Sequence, residues 1–213
     1  MAAVLAPPPP IQPLAFVTRD VRAHVRPDPR SRAPERVGAR TPITGARTTL
    51  PVIGKRRGSD GRIWLHVALP GRPNGHRGWI PRTSANTGST PWALRITLSS
   101  RILAVYRRGR LVRRFPAIVG QPLTPTPRGR FFVEDNVRLG PGVPGAPYAL
   151  ALSARSDVLQ EFAGGPGQIA VHGRANIGGT LRTAVSHGCI RLDDADIAWL
   201  AQRVVPGVPV SIG

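Results

Sequence analysis

The sequence predicts a mainly β protein, a small β-barrel followed by a second, mostly β domain that carries one clear helix. Three observations lead there. In DVRAHVR (20–26), Val21, Ala23 and Val25 alternate with Arg22, His24 and Arg26, the period-two pattern of a half-buried strand. The 24 glycines and 24 prolines cut the chain into short runs, which leaves little room for long helices. Only DDADIAWLAQRVVPG (193–207) places apolar residues at helical spacing, with Ile197, Leu200, Ala201 and Val204 three and four apart.

In order along the chain, residues 15–82 read as the small barrel. After DVRAHVR, the strand candidates are IWLHVAL (63–69) and RGWIP (77–81), separated by the turn formers PGRPNGH. The polar stretch RTSANTGSTP (82–91) is expected as a joint, with the linker at 83–91. The second domain then runs from 92 to 213. RILAVYRRGRLVRRFPAIVG (101–120) reads as two strands turning at Gly109, and GRFFVED (129–135), YALALS (148–153) and GQIAVHG (167–173) follow as strands. Asp193 or Asp194 is expected to cap the helix, Pro206 and Gly207 to stop it, and VPVSI (208–212) to return as a closing strand.

With 213 residues and 22.8 kDa, the chain is long enough to bury a core as one large domain or two small ones. Its single cysteine, Cys189, excludes an internal disulfide and leaves the redox compartment open. The formal charge of +19 is almost all arginine, since Lys55 is the only lysine. Such a surplus attracts anionic partners: nucleic acid, acidic lipid or an anionic cell-wall polymer. The arginines are spread from Arg19 to Arg203 with no long basic block, and the few aromatic residues do not interleave with them as base-stacking platforms, which argues against nucleic acid. No stretch approaches the roughly 18–20 apolar residues of a membrane-spanning helix. The opening MAAVLAPPPP lacks the basic region and apolar core of a secretory signal.

AVSHGCIRL (184–192) surrounds Cys189 with His187 and Arg191. A cysteine attacks acyl carbon as thiolate, and its free pKa near 8.5 leaves little thiolate at neutral pH without a base or a positive field. His172 ends the strand GQIAVHG, seventeen residues upstream and across the turn-rich RANIGGTLRTAV. Two strand ends lying side by side would set its imidazole against the sulfur. His187 and Cys189 point the same way in a strand, whereas in a turn at Gly188 their directions are open. Two other readings stand beside this one. In one, His172, His187 and Cys189 hold zinc; in the other, Cys189 is packing in a basic polymer-binding module. His24, His66 and His76 lie far from the motif in sequence and are expected at the surface or in packing.

With VHG and SHGCIRL in this order and spacing, residues 92–213 resemble the L,D-transpeptidases of the YkuD family. LAVYRRGRLVRRFPAIVGQPLTPTPRGRFFV and GVPVSI are similar to that family's hairpin, its Thr-Pro-x-Gly turn and its closing strand. The resemblance implies a YkuD-like β-sandwich and a cysteine acyltransferase acting on peptidoglycan stem peptides, without metal or cofactor. Cys189 would be the nucleophile, His172 the base, the Gly173 carbonyl its orienter, Gly188 and Cys189 amides the oxyanion donors, and His187 a further hydrogen-bonding partner. Arg191, Ser186, Arg174 and Tyr148 would bind substrate, with Arg191 either holding a substrate carboxylate or pairing with Asp193 or Asp194. Many relatives carry threonine where Arg174 follows VHG, which leaves acceptor choice open. The resemblance also implies carbapenem acylation, an extracytoplasmic location in the cell envelope, and water as a possible acceptor, which would give an L,D-carboxypeptidase.

Residues 15–82 in turn resemble a bacterial SH3-like domain through VRAHVRPDPRS, WLHVAL and GWIP. Trp64 and Trp79 would line a peptide groove or, as expected of large aromatics, fill the core.

Overall fold

The computed structural model describes residues 8–161 and 165–213, so the reading of the first seven residues as lacking a signal lies outside the described residues. The first part of the chain forms β1 (Gln12–Val17), β2 (Val21–Ala23), β3 (Glu35–Val37), β4 (Thr49–Arg57), β5 (Ile63–Ala68), β6 (Arg77–Pro81) and β7 (Ala85–Thr90). β6, β5, β4, β1 and β7 make one sheet in that order, and β2 pairs with β3. The DVRAHVR strand is shorter than its alternation predicts: Val25 lies outside β2 and is exposed, because the Pro27–Pro29 turn draws the chain away. Residues 83–91 differ from the expected linker. A single 3-10 turn at Arg82–Ser84 leads into β7, which pairs with β1 along its whole length. Polar residues such as Asn86 and Thr87 serve well on this sheet-edge strand, because water covers the side chains while the backbone is paired.

The rest of the chain forms β8 (Trp92–Thr97), β9 (Ile102–Arg107), β10 (Arg110–Pro116), β11 (Val119–Gly120), β12 (Gly129–Arg138), β13 (Tyr148–Arg155), β14 (Gln168–His172), β15 (Ala184–Ser186), β16 (Ile190–Arg191), the helix α1 (Asp194–Ala201) and β17 (Pro209–Ile212). Eight of these strands form a sheet in the order β10-β9-β8-β17-β12-β13-β14-β16, and β11 pairs in parallel with β15. The chain is thus mainly β with one α-helix among the described residues. α1 packs over β13 and β14, with Ile197 and Leu200 in the core. It ends at Ala201, before Pro206, and Asp193 takes the expected N-cap position, its carbonyl accepting from Ile197 N at 2.9 Å but its carboxylate making no cap bond. Both carboxylates are instead used by the loop described below.

β12 joins the two sheets. Phe131 and Val133 enter the core of the large sheet while Phe132 enters that of the first, so this strand is buried on both faces. Full burial of one such phenylalanine stabilises by about 1.5–3 kcal/mol. Beside it the buried Asp135 carboxylate accepts hydrogen bonds from Thr41 Oγ1 at 2.6 Å and Thr44 Oγ1 at 2.7 Å. Asn74 and Arg155 also exchange bonds across the seam, Nδ2 to O at 2.7 Å and N to Oδ1 at 2.8 Å. Trp64 is core, whereas Trp79 is partly exposed and stacks on His66 at 4.4 Å.

Candidate active site

β14 and β16 run parallel, with Val171 opposite Ile190 and His172 opposite Arg191. Val171 and Ile190 are fully buried in the core. Because strand side chains alternate, His172 and Arg191 project to the other face together with Ala170 and Cys189. The Ala170 backbone lies near the Cys189 thiol and pulls its pKa down. Sulfur and imidazole therefore belong to neighbouring strand ends and share one face, and both residues are partly exposed.

The imidazole is fixed from one side. His172 Nδ1 lies 2.6 Å from the Gly173 carbonyl oxygen, so Nδ1 carries the proton and donates, leaving the Nε2 lone pair to accept. The turn GPGVPGAP (140–147) covers the ring. Gly145 adopts φ +87°, and a Cβ there would stand 2.6 Å from His172 Nδ1, so only glycine fits. Gly173 N donates to Gly145 O at 2.9 Å and Gly145 N to Ala175 O at 2.8 Å. Gly145 escapes notice in the sequence, where it reads as one more turn glycine.

The loop holding Cys189 is fixed from below. Gly188 adopts φ +114°, open to glycine alone. Ser186, 0 % exposed, donates from Oγ to the Cys189 carbonyl at 2.6 Å and accepts from Gly188 N at 3.2 Å. Thr126 Oγ1 donates to the Gly188 carbonyl at 2.8 Å, and Thr124 Oγ1 to that of Ser186 at 3.2 Å. Two expectations change here. Ser186 is sealed beneath the loop and cannot touch substrate, and the Gly188 N–H, expected to donate to an oxyanion, is taken by Ser186 Oγ. The threonines of TPTPRG, which the sequence marks only as part of a turn, are what anchor the loop.

Arg191 is 9 % exposed and pairs with neither aspartate. Asp193 binds Arg174 Nε at 2.6 Å, and Asp194 Oδ1 accepts from the Arg174 and Ala175 backbone amides at 2.8 and 3.0 Å. Arg191 makes a long bond to Gly178 O at 3.4 Å, and its Nε is buried without a partner among the described residues. Arg174 is held by Asp193 and, through Nη1, by Gly179 O at 3.1 Å, so it clamps the 174–182 loop to α1 instead of reaching toward Cys189. Tyr148 sits at the head of β13, opposite Arg138 and packed against the large core, and His187 is exposed on the loop. Among the described residues no three His, Cys, Asp or Glu side chains gather as metal ligands, so the zinc alternative lacks its ligand set.

Burial pushes the Cys189 thiol up, against the Ala170 backbone and the Arg191 charge, which both pull it down. Burial pulls the His172 imidazolium down, as does Arg191, against the Gly173 hydrogen bond. Both directions favour the uncharged forms, a neutral thiol and a neutral imidazole.

Residues 91–212 match the YkuD family model, the L,D-transpeptidase catalytic domain. The Bacillus licheniformis protein YkuD is 36 % identical over 127 residues, which are 60 % of this chain and 68 % of that protein. L,D-transpeptidase 1 of Mycobacterium tuberculosis is 30 % identical over 159 residues, covering 64 % of this chain and 60 % of the relative. Among solved structures, L,D-transpeptidase 3 of M. tuberculosis superposes with a TM-score of 0.48 at 18 % identity, over 71 % of this chain and 91 % of that one.

Proposed function

The chain belongs to the YkuD family of L,D-transpeptidase catalytic domains, and from that premise we propose that it cross-links peptidoglycan stem peptides through a thioester on Cys189. The Cys189 sulfur attacks the carbonyl of the third-position diamino acid of a tetrapeptide stem while its proton passes to His172 Nε2. The tetrahedral intermediate collapses, its C–N bond breaks, and His172 returns the proton to the departing D-alanine. An amine of a second stem then attacks the thioester, loses its proton to His172, and displaces the sulfur as a peptide bond forms. The Cys189 N–H faces the developing oxyanion, a contribution of about 2.7–4 kcal/mol for one such donor. Arg191, with its buried fork and no carboxylate of its own, offers bidentate binding to a stem carboxylate.

The observation that supports this reading is the pairing of β14 with β16, which presents His172 and Cys189 on one face while Gly173 O commits Nδ1. Incubation with purified tetrapeptide stems, followed by mass spectrometry, tests it. Cross-linked dimer is expected. Tripeptide alone would mean that water is the acceptor, and unreacted stem would end the assignment. Cys189→Ala is expected to abolish transfer with the fold intact, and turnover within about tenfold of wild type would remove the nucleophile role.

The same sulfur is expected to open a carbapenem ring, read as a covalent adduct on the intact protein that Cys189→Ala lacks. Residues 15–82 are read as an SH3-like unit that binds wall peptide beside Trp79 and His66 and orients the catalytic part. Trp79→Ala should then weaken sacculus binding without slowing turnover of free stems, and equal loss of both would sink that division of labour. Because the proposed substrate lies outside the cytoplasmic membrane, the protein is proposed to act there, and cell fractionation finding it with the cytosol would overturn this. No helix among the described residues is long and apolar enough to cross a membrane.

A further inference from the structure

The sequence spreads its arginines widely, but the fold concentrates five of them. Arg107, Arg108, Arg110, Arg113 and Arg114 occupy the hairpin that joins β9 to β10, and all five are exposed. Gly109, Leu111 and Val112 interrupt the run, which is why it does not read as a basic block. No aspartate or glutamate lies between Asp60 and Glu134, so β8, β9 and β10 carry no acid, while Asp196 of α1 lies near enough for Arg113 to act on its carboxyl without an ion pair between them. Among the described residues none of the five arginines forms a salt bridge.

We propose that this hairpin is a docking edge for a linear phosphodiester polymer without bases, of the polyol phosphate kind. β10 is the outer strand of its sheet, so the cations line an edge. They also project to both faces of it. Arg113 lies opposite the buried Val105 and stacks on Trp199, 5.0 Å from the ring centroid, on the helix side. Arg114, opposite Ala104, projects to the other side. A flat membrane surface meets one face of such an edge, whereas a flexible chain of phosphates can run along it and reach both. The guanidinium fork suits phosphate oxygens in bidentate fashion.

Two other anionic occupants fit less well. An acidic peptide adding as a further strand needs a regular edge, and the bulge between Leu111 and Arg113 leaves Val112 unpaired and 47 % exposed, which breaks the ladder. A nucleic acid needs open aromatic faces for its bases. The hairpin run 107–114 has no aromatic residue, and Trp92 beside it carries the Arg107 guanidinium over its ring at 5.4 Å.

The test compares three full-length proteins binding a synthetic poly(glycerol phosphate): wild type, Arg108→Gln/Arg110→Gln/Arg114→Gln, and a charge-matched control, Arg26→Gln/Arg30→Gln/Arg32→Gln, at exposed positions of the first part of the chain. The two stacked arginines, Arg107 and Arg113, are left in place so that packing is undisturbed. Five phosphate contacts predict that wild-type affinity falls roughly 100-fold between about 50 and 200 mM salt, and two remaining contacts predict a fall of less than about tenfold. At the lower salt the hairpin variant should bind at least about tenfold more weakly than wild type, and the control should match wild type.

Equal loss in both variants would show general charge attraction and overturn the site. Equal or tighter binding of wild type to vesicles rich in phosphatidylglycerol, or to single-stranded DNA of the same charge, would overturn the choice of polymer. Unchanged thermal unfolding of the hairpin variant excludes misfolding as the cause. Cys189→Ala should bind the polymer as wild type does, so this inference can fail or succeed apart from the proposed acyl transfer.

Discussion

His172 and Arg191 stand opposite each other in the parallel pairing of β14 with β16, and the guanidinium lowers the pKa of both the imidazole and the Cys189 thiol. One buried cation thus acts on both halves of the proposed pair: it keeps His172 free to accept a proton and makes the thiol readier to lose one. Arg191→Gln removes that field. The profile of Cys189 alkylation against pH should move to higher pH, and the rate at neutral pH should fall roughly tenfold if the thiol pKa rises by about one. Arg191→Lys should restore most of the profile but not bidentate carboxylate binding, so its defect should appear in KM. An alkylation profile indifferent to both changes would leave Arg191 no electrostatic role.

Ser186 and Gly188 hold the Cys189 loop by conformation and by two hydrogen bonds, one buried and one partly buried. Ser186→Ala should cost about 1–3 kcal/mol of unfolding free energy, because the Cys189 carbonyl and the Gly188 amide lose their shared hydroxyl partner. Gly188→Ala should also destabilise, since φ is +114° and the new Cβ would lie 3.0 Å from Ile169 Cδ1. Denaturant unfolding measures both. A Ser186→Ala protein as stable as wild type, with unaltered alkylation, would show that the hydroxyl is dispensable to the loop.

From mildly acid to alkaline pH, stability should depend on four groups: His66, which burial holds below its ordinary 6.5 and whose contribution is lost in acid as that of His172 is, and three others. Burial holds His172 below its ordinary 6.5, so the unfolded chain takes up the proton first and stability falls as pH drops below about 6.5. The Glu35 carboxylate, 2.6 Å from His76 Nε2, raises that imidazole, so its contribution is complete below 6.5 and is lost as pH rises through the raised value. Burial holds the Cys189 thiol above 9.0, so stability declines again as pH climbs past that point. Thermal unfolding from acid to alkaline pH should show the acid loss reduced in His172→Gln and the alkaline loss reduced in Cys189→Ala. Unaltered limbs in these variants would assign the pH dependence elsewhere.

The mainly β architecture was legible because alternation survives in β6 and in much of β5, where one face meets a core, and because β12 and β13, buried along most of their length, read as short apolar runs. It failed at β7, whose polar residues announce a loop although the backbone is fully paired with β1, since side-chain polarity does not report main-chain hydrogen bonding. At the site, VHG and SHGC marked the two strand ends that pair. What holds them was not readable: Gly145 over His172, Thr124 and Thr126 beneath the loop, and the choice of Arg174 by Asp193 all depend on segments far apart in sequence. An arginine beside two aspartates, as at 191–194, gives no sign that the carboxylates serve another arginine.

Asp194 gives the sharpest separation of holding from chemistry. Its Oδ1 accepts the backbone amides of Arg174 and Ala175, the two residues that follow Gly173, whose carbonyl in turn fixes His172. Asp194→Ala leaves both amides without that acceptor, and the strand end carrying the imidazole loses its tether to α1. Acyl transfer should fall by roughly tenfold or more in kcat, since a displacement near 1 Å in a catalytic group has effects of that order or larger. Cys189 itself is untouched, so alkylation of the thiol by a small reagent should change far less. Asp194→Asn keeps one carbonyl oxygen in place and should recover most of the activity, because the role rests on accepting two hydrogen bonds more than on charge. If the asparagine protein is as impaired as the alanine one, the negative charge near the helix start matters in its own right and the tether account is wrong.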